Sequence, residues 1–248
     1  MGRTLAGTGV LAAVLGAGLV AGPSGGAPRA IAAACPAGLE QPVGDDRVAY
    51  AAHVRTRAVA YRKPGQRPLA SFGKLNVNDY PTVLGVLGSV AGKGCKVTWY
   101  RVELPMRPNG TIGYVSAADV EVERVETRLE IDLSKRQLTL YRSGRAAMRT
   151  TVAIGKAATP TPIGRFYVNQ RLRPADPSGP YGPAAIGVSA FSNVLTGWAQ
   201  GGPIGIHGTN EPWLIGRPVT HGCIRMTNTA IALLYPQVAS GTPVIIHP

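Results

Sequence analysis

The chain has 248 residues, enough for one large domain or two small ones with a proper core. Its 32 Gly and 21 Pro, with few long helical patterns, point to β structure with many turns and argue against a helical bundle. The formal net charge of +13 calls for an anionic partner, but no basic helix, zinc-finger spacing or RNA-binding signature accompanies it; nucleic acid is therefore set aside in favour of an anionic surface such as a cell wall or membrane.

Residues 1–34 have the layout of a secretory signal. Arg3 supplies the charged start, residues 5–21 are apolar apart from Thr8, and small residues end at Ala32-Ala33-Ala34. The apolar run is shorter than the roughly 20 residues that span a bilayer and is rich in Gly and Ala, which favours export over a retained anchor. A lipid on Cys35 is the third alternative, weakened by Ala32 where a large aliphatic would be needed. Export changes the meaning of the three cysteines, because thiols outside the cytosol tend to pair. Cys35 and Cys95 are expected to form a disulfide, which leaves Cys223 as the odd thiol.

Residues 48–57 alternate apolar and polar, as a half-buried strand does. Turn signals follow at Lys63-Pro64-Gly65, and residues 76–81 read as loop. Residues 83–88 form a short apolar run, and residues 97–104 (VTWYRVEL) a strong strand with β-branched and aromatic side chains. Residues 105–110 read as a turn and residues 113–115 as another short strand. Several short strands between Gly/Pro turns predict a small barrel over residues 48–124. The phrase Trp99-Tyr100-Arg101-Val102, Arg107-Pro108-Asn109-Gly110, Gly113-Tyr114-Val115 resembles the end of bacterial SH3-like domains that accompany cell-wall enzymes. Trp99 and Tyr100 read either as a glycan- or peptide-binding face or, more simply, as cross-strand packing; His53 reads as structural. Residues 121–128 (EVERVETR) read as a charged connector between two domains.

The second domain is expected over residues 127–248. Strands at residues 129–132 and 137–141 flank a polar turn, Ser143-Gly144-Arg145 makes another turn, and residues 148–154 give a further strand, all as antiparallel hairpins. Residues 155–164 form a proline-stiffened loop before a strand at residues 165–169. The long Pro/Gly loop at residues 171–183 reads as an ordered wall or lid, since loops of that length are usually functional or disordered. Residues 229–239 are the convincing helix, with Ile231, Leu234, Tyr235 and Val238 at helical spacing and Asn228 as its N-cap. Residues 243–247 close the chain as a strand. The fold class is mainly β, with one packing helix.

The chemistry concentrates in residues 206–226, IHGTNEPWLIGRPVTHGCIRM. This stretch holds two of the four histidines, His207 and His221, and one of the three cysteines, Cys223. Three readings stand side by side. The residues are unrelated; or two His and a Cys hold zinc, although His-Gly-Cys is not a usual ligand spacing; or a cysteine nucleophile pairs with a histidine base. The last explains a lone thiol in an exported chain, and Gly222 beside the nucleophile lets substrate approach and backbone N–H groups face an oxyanion. No metal or other cofactor is expected.

Ile206-His207-Gly208-Thr209-Asn210 and Thr220-His221-Gly222-Cys223-Ile224-Arg225-Met226 resemble the active-site signature of the L,D-transpeptidase (YkuD-type) family. Thr159-Pro160-Thr161-Pro162-Ile163-Gly164-Arg165-Phe166, Tyr181-Gly182-Pro183 and Gly241-Thr242-Pro243-Val244 extend the resemblance over nearly all of the second domain. Thr220 stands where Ser is commoner, and Arg225 where some members have Asn. The resemblance implies a β-sandwich that forms 3→3 cross-links in peptidoglycan, from a tetrapeptide donor stem to the diaminopimelate amine of an acceptor stem, through a thioester on Cys223. It implies His207 as base, oriented by the Gly208 carbonyl, and backbone N–H groups of Gly222 and Cys223 as the oxyanion hole. His221, Thr220 and Tyr181 would shape the substrate site. Arg225 would bind a substrate carboxylate, lower the thiol pKa or make a structural salt bridge. Carbapenem-type β-lactams are the expected inhibitors, and a monomer at the wall, secreted or anchored, the expected state. An L,D-carboxypeptidase and a non-catalytic wall-binding protein are the alternatives. Residues 127–248 carry 12 Lys+Arg against 4 Asp+Glu, which suits a substrate with free carboxylates.

Overall fold

The computed structural model describes residues 36–248. The expected signal segment and Cys35 lie outside them. Cys95 is disulfide-bonded, and Cys223 is the free cysteine among the described residues. No helix among the described residues is long and apolar enough to cross a membrane.

The first half of the chain is one eight-stranded sheet. Its strands are β1 (Glu40–Pro42), β2 (Ala49–Val54), β3 (Arg57–Tyr61), β4 (Pro68–Gly73), β5 (Val83–Ala91), β6 (Val97–Glu103), β7 (Ile112–Ser116) and β8 (Val120–Val125). They lie in the order β4-β3-β7-β6-β5-β2-β8, with β1 also on β5. Small and branched residues from six of these strands, among them Ala52, Ala60, Leu84, Val102, Val115 and Val120, bury one shared core, so the sheet curls round its own interior. The alternating stretch at residues 48–57 is not one strand. It breaks at Arg55 and Thr56 into β2 and β3, which pair with different neighbours. Trp99 packs edge-on against Tyr61 at 5.5 Å, and Tyr100 against the core; both belong to cross-strand packing. The His53 ring meets Glu123 on the adjacent strand.

The second half opens with β9 (Thr127–Asp132), one residue after β8, so the charged residues 121–128 are strand on either side of Glu126 and not a free connector. There follow β10 (Gln137–Arg142), β11 (Arg145–Thr151), β12 (Ile154–Gly155), β13 (Gly164–Leu172), β14 (Ala185–Phe191), β15 (Pro203–His207), β16 (Pro218–Thr220), β17 (Ile224–Arg225), helix α1 (Asn228–Leu234) and β18 (Pro243–His247). The sheet runs β11-β10-β9-β18-β13-β14-β15-β17, while β12 and β16 make a small parallel pair. β13 joins two layers. Its first residues, Gly164 to Tyr167, pair with β18, and the register slips after Val168 as pairing passes to β14. The layers enclose one core of Leu, Ile and Val, closed by Ile231 and Leu234 of α1. Each such side chain fully buried contributes about 1.5–3 kcal/mol.

Helix α1 is shorter than its apolar spacing predicts. Pro236 has no N–H to continue the ladder, and Tyr235–Gln237 tighten into a 3₁₀ turn. The cap is Thr227, whose hydroxyl accepts the Ala230 N–H, and not Asn228. β13 also runs on to Leu172, which takes the first residues of the expected 171–183 loop into strand.

The two sheets pack directly on each other and belong to one compact unit. Glu103 of β6 is buried between them and accepts a 2.8 Å hydrogen bond from the Ser189 hydroxyl of β14, which itself accepts the Tyr167 N–H. Burial pushes the Glu103 carboxyl up to about 7, outweighing the Ser189 hydrogen bond and the charge of Arg165.

Candidate active site

Strand alternation places the two reactive side chains. Ile204 and Ile206 of β15 point into the core, which turns His207 to be read against the next strand. β17 pairs with β15 in parallel, with Ile206 opposite Ile224 and His207 opposite Arg225. His207 and Arg225 therefore emerge on one face, and Cys223 stands one residue before β17. A backbone hydrogen bond from Gly205, two residues before His207 on β15, reaches the Cys223 thiol.

The His207 ring is buried, and its Nδ1 lies 2.6 Å from the carbonyl oxygen of Gly208. A carbonyl only accepts, so Nδ1 carries the proton and Nε2 is left as a base. The carbonyl is held by crowding. A Cβ on Gly208 would stand 2.3 Å from Asn228 Oδ1 and 3.0 Å from the Gly182 Cα; one on Gly182, itself at φ +64°, would stand 2.3 Å from Asn228 Oδ1 and 2.7 Å from the Gly208 Cα. Asn228 Oδ1 also accepts the Thr209 N–H at 2.8 Å. The first residue of α1 thus clamps the backbone that orients His207. Tyr181, near the end of the long loop, meets His207 edge-on with ring centroids 4.9 Å apart and is itself exposed.

The turn carrying Cys223 is built from hydroxyls. Thr220, fully buried, donates to the Cys223 carbonyl at 2.6 Å and accepts the Gly222 N–H at 3.1 Å. Thr159 donates to the Thr220 carbonyl and Thr161 to the Gly222 carbonyl, at 3.0 and 2.9 Å. Gly222 sits at φ +112°, where a side chain would be strained. This bears on the expected oxyanion hole: the Gly222 N–H is already committed to Thr220, while the Cys223 N–H has no acceptor among the described residues.

Burial sets the resting protonation. It lowers the His207 pKa to about 4; the Gly208 hydrogen bond raises it and the Arg225 charge lowers it further, both by less. Burial also raises the Cys223 thiol pKa, and a backbone hydrogen bond from Gly205 and the Arg225 charge oppose that without cancelling it. At neutral pH the pair is thiol and neutral imidazole, not thiolate and imidazolium. Arg225 does not turn the thiol acidic. Its guanidinium instead donates to Glu211 at 2.9 Å, the structural salt bridge among its expected roles. His221 is exposed, with its ring 5.2 Å from that of Trp198. Among the described residues no group of three His, Cys, Asp or Glu side chains is placed to hold a metal ion.

Sequence reading did not single out Asn228 as a clamp, Glu211 as the partner of Arg225, or Trp198. Thr159 and Thr161 stood only within a motif phrase; their signal was two hydroxyls fixed by alternate prolines.

The second half is thus a β-sandwich with a buried imidazole at the end of β15 and a half-buried thiol one residue before β17, the strand paired with it. Residues 126–246 match the YkuD family of L,D-transpeptidase catalytic domains. The chain belongs to that family. It is 35% identical over 126 residues to a protein of Bacillus licheniformis named as an L,D-transpeptidase, YkuD, covering 51% of this chain and 68% of that one. The protein of the same name from Bacillus subtilis is 35% identical over 119 residues, and there the match spans 48% of this chain and 65% of its relative. A solved cysteine-to-serine mutant of Enterococcus faecium L,D-transpeptidase is 25% identical, with 49% of each chain covered and a TM-score of 0.37.

Proposed function

We propose that this chain is a peptidoglycan L,D-transpeptidase that joins stem peptides by 3→3 cross-links at the outer side of the membrane. The observation that carries the reading is the His207–Cys223 arrangement: a ring fixed by the Gly208 carbonyl, its Nε2 free, on the strand beside the thiol. Nε2 takes the thiol proton as Sγ attacks the carbonyl of the third residue of a tetrapeptide stem. The Cys223 N–H supports the resulting oxyanion; losing such a donor typically costs about 3–4 kcal/mol of barrier. His207 then returns the proton to the leaving D-Ala amine, and a thioester remains. The diaminopimelate amine of a second stem attacks, its proton passes to His207, and Sγ leaves. Neutral resting partners suit this sequence, because the ion pair forms only as the C–S bond does. The first sheet, as an SH3-like module, would hold the enzyme at the wall.

The test is incubation with a disaccharide-tetrapeptide followed by mass analysis. Dimers that lack one D-Ala, absent with Cys223→Ala, are expected. Tripeptides alone would make the enzyme an L,D-carboxypeptidase, with water as acceptor. No product from the wild type, together with a thiol inert to a carbapenem, would leave only wall binding.

A further inference from the structure

Two loops of the first sheet grip one loop of the second. Residues 192–202 leave β14 and return to β15 as a compact Ω-type loop, its ends joined by the Ser192 N–H donating to the Gly202 carbonyl at 2.8 Å. At the entrance, the Asn109 amide pairs with the Phe191 backbone as a strand would. Its Nδ2 donates to the Phe191 carbonyl at 2.8 Å, and its Oδ1 accepts the Phe191 N–H at 2.9 Å. Arg107 donates to the Ser192 carbonyl and lies over the Phe191 ring. At the exit, Gln200 Nε2 donates to Asn78 Oδ1 at 2.6 Å, and Asn78 in turn donates to Gln170 of β13 at 3.1 Å. Gln200 stands at φ +56°, a conformation that costs a non-glycine residue about 1–2 kcal/mol and persists where contacts hold it.

Between the two grips lies Trp198. Its indole is half exposed, and its ring centroid is 5.2 Å from that of His221, two residues before Cys223. Trp198 takes no part in the core of the second sheet. An indole left open to solvent against the ring of His221, on a loop held at both ends by another sheet, is placed to meet something that arrives.

We propose that the first sheet is a working part of the active site: through Asn109 and Asn78 it fixes the 192–202 loop so that Trp198 forms a wall positioning the stem-peptide substrate beside Cys223. Asn109 and Asn78 are positioning residues; Trp198 contacts substrate. This rests on the transpeptidase reading.

The test compares Asn109→Ala, Trp198→Ala, Trp198→Phe and the Asn109→Ala/Trp198→Ala double variant on the disaccharide-tetrapeptide. Each alanine variant should lower kcat/KM by about tenfold, mainly through KM, and the double variant should be no worse than either. Trp198→Phe should restore most of the loss. Alkylation of Cys223 by iodoacetamide should stay within about twofold of wild type, since that reagent needs the thiol and not the wall. Additive losses, wild-type kinetics in Asn109→Ala, or a matching loss of alkylation would overturn the proposal. Should Asn109→Ala not fold, Asn78→Ala, at the other grip, takes its place with the same expectations. If the wild type turns over no stem peptide, the transpeptidase reading fails by itself. Acrylamide quenching then decides: with Trp99 and Trp213 replaced by Phe, Trp198 emission should quench more readily in Asn109→Ala, and unchanged quenching sinks the grip.

Discussion

At the scale of single residues, His207 and Cys223 show how burial rather than proximity sets reactivity. An imidazole near a thiol in water would favour an ion pair; here the ring is buried and the thiol half-buried, and each is pushed toward its neutral form. His207 must be neutral to accept a proton, and its pKa is about 4, so the acid limb of kcat/KM should fall near pH 4. A limb at the ordinary imidazole value, about 6.5, would refute the burial argument. The same reasoning makes Cys223 slow to alkylate at neutral pH, with the rate rising only above the usual thiol range. Thr220 is the second residue to test. Thr220→Val removes both the donor to Cys223 and the acceptor for Gly222, and should cost about 1–3 kcal/mol of stability along with most of the turnover. Thr220→Ser, which keeps the hydroxyl, should retain both by thermal melt and assay.

At the scale of elements, α1 does two separable jobs with adjacent residues. Thr227 caps the helix, and Asn228 clamps the Gly208–Thr209 backbone. Thr227→Ala should lower stability by about 1 kcal/mol with kcat little changed. Asn228→Ala should lower stability by a similar amount and kcat as well, because the carbonyl that fixes the His207 ring loses its support. Equal catalytic effects from the two variants would contradict this division. Spacing alone made Asn228 the cap, one residue from the truth, because the helical period says which side chains are apolar but not where the first turn begins. The long loop was expected as a wall or lid, and Tyr181 near its end has its ring centroid 4.9 Å from that of His207. The loop bearing Trp198 was not, since its meaning depends on Asn109 and Asn78, far away in sequence.

At the scale of the molecule, the contact between the sheets carries a titration. Folded Glu103 holds its proton to about pH 7, whereas in the unfolded chain it releases it near 4.5. Between those values the unfolded state gives up the proton first, so raising the pH lowers stability. Glu103→Gln keeps the acceptor for Ser189 and removes the charge. It should therefore be more stable than wild type at pH 8 by about 1–3 kcal/mol, with the gap closing at pH 4.5. A pH-independent gap in melting temperature would show that the carboxyl does not titrate in this range. His207 has the opposite sign, its contribution being lost as pH falls from 6.5 toward 4, and it is common to both proteins in the comparison. The net charge of +13 should also make binding to isolated wall sacculi weaken as salt shortens the Debye length from about 10 Å at 0.1 M to about 3 Å at 1 M. Co-sedimentation that ignores salt would mean that charge is not what binds.

Beyond the family resemblance that singled out His207, the sequence alone determined the β class, the strand-rich halves and the gathering of His207, His221 and Cys223 in one reactive stretch. Those follow from local signals: alternation, turn residues, and rare reactive side chains gathered in a short stretch. What only the tertiary structure decided is relational. Whether the thiol rests charged depends on how much water the folded sheets exclude, and which N–H can meet an oxyanion depends on Thr220 having already claimed that of Gly222. Whether the first sheet touches the chemistry depends on side-chain amides reaching across 80 residues and more of chain. Residues 206–226 name the reagents, and the packing around them sets their charge, their orientation and their walls.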